Sequence, residues 1–248
     1  MAGGCFITAS GTEIGKTFVT CRLLEGLRGR GRRAAAIKPV LSGWDPEDKA
    51  SDAHLLRAAH VSCAAAAQGQ VAPPPEIAEI APWRLTAPLS PHAAARREGK
   101  EITQEAVLAF CRRKLAEGWE PLLIEGVGGA FVPISKQFLV ADWIAALALP
   151  VLLVVDSRLG ALSHGIATYE ALRARRIAID GVIVSQSPAE PMPFAETVAG
   201  FAVFLKTPIF ALPRIAQAAF PAAAQALADW YEALARGQAP PVSGLSCS

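Results

Sequence analysis

Apolar runs and helical stripes alternate along almost the whole chain. Residues 4–8, Gly-Cys-Phe-Ile-Thr, are a short apolar run of the kind a buried strand shows. After a polar loop, Phe18, Val19, Cys21, Leu23, Leu24 and Leu27 recur at helical spacing. They predict a helix over 15–28, stopped by Gly29 and Gly31. Residues 34–38 read as a second short strand, ended by Pro39. Strand, helix and strand in that order mean a right-handed crossover and a parallel pair.

The alternation continues. Residues 41–49, interrupted by Ser42, Gly43, Asp45 and Pro46, read as a loop, and Ser51 as the cap of a helix over 52–59. Prolines at 73, 74, 75, 82, 88 and 91 make 71–91 an ordered but irregular connection, with a helix starting at Pro91. A stripe of Val107, Leu108, Cys111 and Leu115 predicts a helix over 103–115. Strands follow at 121–125, 150–155, 179–184 and 208–211, with helices at 139–147, 162–174, 194–205 and 218–235. The run at 150–155 is apolar throughout, as a central parallel strand must be. The expected architecture is one doubly wound α/β domain over 1–237, a mostly parallel sheet flanked by helices, with 238–248 a loosely ordered tail.

Composition narrows the partners. A formal net charge of +2 without a dense basic stripe argues against nucleic acid. Cations at 28–33 fall at a helix end, where they suit the dipole. The five cysteines (Cys5, Cys21, Cys63, Cys111 and Cys247) have no metal or redox spacing and read as reduced thiols. No basic segment precedes Phe6, and the apolar stretch at 143–155 is broken by Pro150. The expectation is a soluble cytoplasmic protein with no membrane partner.

Candidate chemistry lies at the carboxyl ends of the strands, where such sheets place ligands. The loop Ala9-Ser10-Gly11-Thr12-Glu13-Ile14-Gly15-Lys16-Thr17 joins the first strand to the first helix. Its Gly-Lys-Thr ending is that of a phosphate-binding P-loop. Backbone N–H groups cradle the anion, Lys16 reaches the β/γ-phosphates and the Thr17 hydroxyl faces Mg²⁺. Ser10 or Ala9 stands where the consensus has its first glycine. Lys38 ends the second strand, and Glu125 ends another, followed by Gly126, Gly128 and Gly129. Thr17, Glu125 and one of Asp45, Asp48 or Asp52 supply oxygen ligands for Mg²⁺. Two lysines, a metal and a glycine-lined floor suit phosphoryl transfer. His92 and His164 read as helix-start groups, and Asp156 as the cap of a turn.

The set Thr12-Glu13-Ile14-Gly15-Lys16-Thr17, Lys38-Pro39-Val40 with Ser42-Gly43, Ser51-Asp52-Ala53, Ser90-Pro91-His92, Glu125-Gly126-Val127-Gly128-Gly129 and Arg158-Leu159-Gly160 with His164 resembles dethiobiotin synthetase. The match in order and spacing covers roughly residues 4–185. The resemblance implies a homodimer that carboxylates 7,8-diaminopelargonic acid with CO₂ and ATP and closes a cyclic urea, in biotin synthesis. It implies Lys16 and Lys38 as catalytic groups and Thr12 and Ser42 as substrate contacts. It places Thr17, Asp52 and Glu125 around Mg²⁺. Backbone from Glu13, Ile14, Gly15, Lys16, Thr17 and Phe18, and from Gly126, Val127 and Gly128, would hold the phosphates.

Three departures stand out. Ala9 replaces the family's first loop glycine, Ser163 an asparagine, and Ser185-Gln186 the Asn-Asp pair that reads the base. Ser185 offers one hydroxyl where the family has an amide, so a nucleotide site less strict for ATP and open to other NTPs is expected. The competing reading is a partitioning-type P-loop ATPase switch, but the extra lysine such proteins carry early in the loop is absent at positions 9–11.

Overall fold

The computed structural model describes residues 3–64 and 74–245, side chains of 62–64 excepted. The first half comprises β1 (Gly4–Ala9), α1 (Lys16–Gly29), β2 (Ala35–Ile37), β3 (Val40–Ser42), α2 (Asp52–Ala64), α3 (Ile77–Ile80), β4 (Trp83–Leu85), α4 (Pro91–Arg97), α5 (Gln104–Ala116) and β5 (Leu122–Glu125). The second half adds β6 (Pro133–Ser135), β7 (Phe138–Leu139), α6 (Val140–Leu147), β8 (Val151–Asp156), α7 (Ala161–Ala174), β9 (Gly181–Ser185), α8 (Phe194–Phe204), β10 (Ile209–Leu212), α9 (Phe220–Ala235) and β11 (Val242–Gly244).

Seven strands form one sheet in the order β11-β10-β9-β8-β1-β5-β2. Every pairing within it is parallel. β5 inserts between β1 and β2, and β8 then joins on the other side of β1. The order of addition thus reverses at β1, and a crevice opens at the carboxyl ends there.

Alternation along the buried strands sorts the core into two layers. Phe6, Leu122, Ile124, Leu153, Val155, Val182 and Val184 face α4 through α8. Cys5, Ile7, Ala9, Leu123, Leu152, Val154, Ile183 and Phe210 face α1, α2, α3 and α9. Strands covered on both faces must be apolar at every position, which is what made 150–155 legible. Helix starts follow local chemistry. The Thr103 hydroxyl accepts from the Ala106 N–H at 3.2 Å, and Pro91 opens α4.

Three expectations need correction. Val40–Ser42 is not loop: Pro39 interrupts β2, and the apolar residues after it pair in parallel with Trp83–Leu85. The connection at 71–91 holds α3, fixed by the Glu79 carboxylate accepting from the Glu76 N–H at 2.9 Å, and then β4; its residues 71–73 lie outside the described residues. The antiparallel hairpin of β6 and β7 carried too few residues to show a period. The stretch 238–248 contributes Val242–Gly244 as the edge strand beside β10, and residues 246–248 lie outside the described residues. Cys5, Cys21 and Cys111 are free and buried; the side chains of Cys63 and Cys247 lie outside the described residues.

Gly26 of α1 shows how closely α1 packs against α9. A Cβ there would sit 2.0 Å from the Ala224 carbonyl oxygen, whereas a Cβ on Gly29 would meet nothing within 4 Å. Gly26→Ala is therefore expected to destabilise the fold by about 1–3 kcal/mol, the usual cost of overpacking. Gly29→Ala should leave the urea midpoint unchanged or slightly raised, and paired denaturation curves check both.

Candidate functional site

The loop 10–15 is held from both sides. The Ser10 N–H donates to Val154 O at 3.1 Å, and the Ala130 N–H donates to Ala9 O at 2.8 Å. Ala9 is still the last residue of β1 and is fully buried, so it needs no glycine. Gly15 does. It caps α1 at φ 97°, and a Cβ there would come within 2.7 Å of Ser185 Oγ. Across the loop, a Cβ on Gly129 would lie 3.1 Å from Gly11 Cα. The glycine-rich turn after β5 thus packs directly against the loop after β1.

Five predicted side chains converge at this junction. The Thr17 hydroxyl lies 2.8 Å from Asp52 Oδ1 and 2.7 Å from Glu125 Oε1. One hydroxyl proton satisfies only one carboxylate at a time. Lys38 Nζ reaches Glu125 Oε1 at 2.7 Å and also holds Asp52 Oδ2. Glu125 is fully buried and Lys38 nearly so, while Asp52 stays about one-third open. Burial alone would lower the Lys38 pKa, but the Glu125 and Asp52 carboxylates outweigh it and the group is held charged. Burial would likewise raise the Asp52 pKa, but the Lys38 ammonium lowers it. Lys16 is different. Its ammonium donates to Gly11 O at 3.1 Å, and burial, together with the neighbouring Lys38 charge, pulls its pKa down to about 8.

Among the described residues, Glu125 Oε2 is buried with no hydrogen-bond partner. An orphaned carboxylate oxygen next to a second carboxylate and a hydroxyl is a donor set for a hard divalent cation. The described residues hold no cluster of three His, Cys, Asp or Glu side chains placed to hold a metal ion, so the two carboxylates and the hydroxyl could fill only part of a coordination shell. The three candidate aspartates now separate. Asp45 Oδ1 accepts from the Glu47 N–H and Asp48 Oδ1 from the Ala50 N–H, each at 2.9 Å, as turn caps do. Asp52 alone faces Thr17.

Two clefts meet at the loop. The first, about 670 Å³, is walled by Thr12, Lys16, Thr17, Lys38, Ser42, Asp52, Ser90, Val127 and Gly128. The second, about 590 Å³, is walled by Ser185, Gln186, Arg158, Leu212, Arg214 and Phe220. Glu13, Ile14, Gly15 and Phe18 line both, so the loop is their common partition. Gly126 lines neither. It is buried, and its N–H is already donated to Ile7 O at 2.9 Å, so it cannot give that proton to a phosphate. Sequence reasoning missed Glu190, whose carboxylate holds Gln186 and Ser157 at 2.8 Å each. It lies beyond the strand end, in a turn with no motif to mark it. Phe220, drawn in from the start of α9, was equally unmarked.

A family model described as an AAA domain matches residues 4–221. Together with the parallel sheet and the Gly-Lys-Thr loop, that match makes this a P-loop nucleotide-binding protein. MinD, the cell division protein of Aquifex aeolicus, superposes with a TM-score of 0.56 over 97% of this chain and 100% of its own, at 16% identity, which is a likeness of fold alone. The ATP-dependent dethiobiotin synthetase of Acidiphilium cryptum is 44% identical over 189 residues, 76% of this chain and 81% of the relative. That of Phenylobacterium zucineum is 41% identical over 227 residues, 88% and 92% of the two chains. The chain belongs to the ATP-dependent dethiobiotin synthetase family.

Removing one partner of a buried ion pair leaves the other uncompensated. Lys38→Ala, which strands Glu125, is expected to cost about 3–5 kcal/mol of stability at neutral pH. The double variant Lys38→Met with Glu125→Gln should recover most of that loss. A urea-unfolding cycle of Lys38→Met, Glu125→Gln and the double variant measures the coupling, and additive losses would show that the pair is not the unit described.

Proposed function

We propose that this chain joins CO₂ to 7,8-diaminopelargonic acid at the expense of ATP and closes the cyclic urea of dethiobiotin. Its family membership supports the reaction. The observation that carries the site assignment is the placement of Lys16 and Lys38 together on the wall of the first cleft, next to the loop that divides it from the second. In this reading the diamine occupies the first cleft and the nucleotide lies over the loop with its base in the second.

One substrate amine adds to CO₂ and loses a proton to give a carbamate. The carbamate oxygen then attacks the γ-phosphorus of ATP and ADP leaves. The second amine attacks the carbonyl carbon of the resulting carbamic-phosphoric anhydride, and phosphate leaves as the ring closes. Each step develops or moves anionic charge, so the protein's contribution is positioning and positive charge. Lys38 reaches the carbamate and the migrating phosphoryl group from the end of β2. Lys16 and the N–H groups of residues 13–18 hold the phosphates, as a helix N-terminus does. Thr12 and Ser42 touch the diamine. Ser185 and Gln186 face the base. Val127 and Gly128 close the side of the first cleft, leaving Gly126 a packing role.

Thr17, Asp52 and Glu125 would hold Mg²⁺, which when bound neutralises charge on the phosphates. The orphaned oxygen of Glu125 supports that set. A homodimeric cytoplasmic enzyme without nucleic-acid or membrane partners completes the reading. Among the described residues no helix is long and apolar enough to cross a membrane.

Incubation with the diamine, bicarbonate, Mg²⁺ and ATP should yield a product of dethiobiotin mass together with ADP. A folded protein that hydrolyses ATP without forming the ring would be a switch and not a synthetase. Nucleotide binding supplies a second test. With its pKa near 8, Lys16 is partly neutral at mildly alkaline pH. A triphosphate beside it favours the ammonium and raises that pKa, so binding takes up a proton there. Calorimetry at pH 8.5 (about half a unit above that pKa) in buffers of different ionisation enthalpy should show uptake of up to about three-quarters of a proton. The uptake should vanish in Lys16→Met. Proton-neutral binding in the unmodified protein would mean that Lys16 does not meet the phosphates.

A further inference from the structure

The floor of the second cleft is fastened by a carboxylate that does not itself reach the cleft. Glu190 Oε1 accepts from Gln186 Nε2 at 2.8 Å, and Glu190 Oε2 accepts from Ser157 Oγ at 2.8 Å. The same amide is held from its other end, where Gln186 Oε1 accepts from the Arg214 N–H at 2.8 Å. Ser157 is buried, and its hydroxyl also accepts from the Ser187 N–H at 2.9 Å. The Gln186 N–H donates to Leu212 O at 2.9 Å. The carboxyl ends of β8, β9 and β10 are thereby laced together around one side-chain amide.

A free glutamine turns its amide over easily and so serves a donor or an acceptor equally. Gln186 does not have that freedom. Turned over, its oxygen would face the Glu190 carboxylate and its NH₂ would face the Arg214 N–H, a double clash of like partners. An amide has two N–H bonds and two lone pairs, and the clasp uses one of each. Gln186 and Arg214 line the cleft and Glu190 does not, so the amide is held from behind at its nitrogen, and one N–H and one lone pair remain outside the clasp. The rest of the wall is largely apolar, with Ile14, Phe18, Leu212, Pro213, Ile215 and Phe220. Gln186 is thus the wall's one side-chain amide, and its polarity is fixed.

We propose that Glu190 is a positioning residue that sets nucleotide selectivity by fixing which way round the Gln186 amide meets the base. The inference rests on the base lying in the second cleft, as in the reading above. The ATP dependence of the relatives indicates which polarity is accepted. An exocyclic amino group beside an unprotonated ring nitrogen, as in adenine and cytosine, matches it. A carbonyl in place of the amino group, as in hypoxanthine, guanine and uracil, sets lone pair against lone pair. The loosened selectivity expected from Ser185-Gln186 is therefore narrowed to adenine and cytosine.

ATP and ITP have nearly the same size and differ in that polarity, so they form the decisive pair. The unmodified protein is expected to prefer ATP by about tenfold or more in kcat/KM, with the difference in KM, because an unpaired or opposed polar group is rejected strongly. CTP should outperform UTP in the same sense. In Glu190→Ala one of the two clashes that oppose the turned amide is removed while the Arg214 N–H still meets the other end, and the ATP-to-ITP ratio should fall by about threefold or more, again through KM. Gln186→Leu, which keeps the shape and removes the amide, should bring the ratio to within about threefold, and an unchanged ratio there overturns the proposal even if Glu190→Ala does not fold. Equal use of ATP and ITP by the unmodified protein overturns the proposal, as does an unchanged ratio in either folded variant. Failure of the underlying reading looks different: the unmodified protein would then form no dethiobiotin from any nucleotide.

Discussion

The structure depends on one buried contact, the ammonium of Lys38 against the carboxylate of Glu125. Both side chains are buried, and each makes the other's burial tolerable. The pair sits where the ends of β2 and β5 come side by side, so it exists only once those two parallel strands are in register. Asp52, from the start of α2, and Thr17, from the start of α1, then join it. Four elements distant in sequence are brought to one point by charge compensation. Such pairs add little net stability compared with an apolar core, and this one leaves a carboxylate oxygen unsatisfied. That free oxygen is what the proposed Mg²⁺ site would use.

The two lysines illustrate how neighbours set a group's state. Both are buried, and burial pushes both toward neutrality. Lys38 has two carboxylates in direct contact and keeps its proton, whereas Lys16 donates only to a backbone carbonyl and is held near pKa 8. One cation is compensated within the fold; the other has no carboxylate in direct contact among the described residues.

Much of this was legible in the sequence, for physical reasons. A sheet covered on both faces demands unbroken apolar runs, and those announced β1, β5, β8 and β9. Gly-Lys-Thr marked the loop, and strand-end placement brought forward Lys38 and Glu125. The choice of Asp52 came from the family resemblance, and of the three aspartates it is the one whose carboxylate meets the Thr17 hydroxyl. What escaped had no local signature. β3, β4 and β11 are three-residue strands that exist only through their partners. Gly126 looked like a phosphate contact because glycine permits close approach, yet the approach it permits is to Phe6 and Ile7 of β1. Glu190 acts through Gln186, and no spacing rule links a turn residue to the amide it clasps.

The loop after β1 is shared by two clefts that open on its opposite sides. Glu13, Ile14, Gly15 and Phe18 each belong to both walls, so a change at any one of them reshapes the two clefts at once.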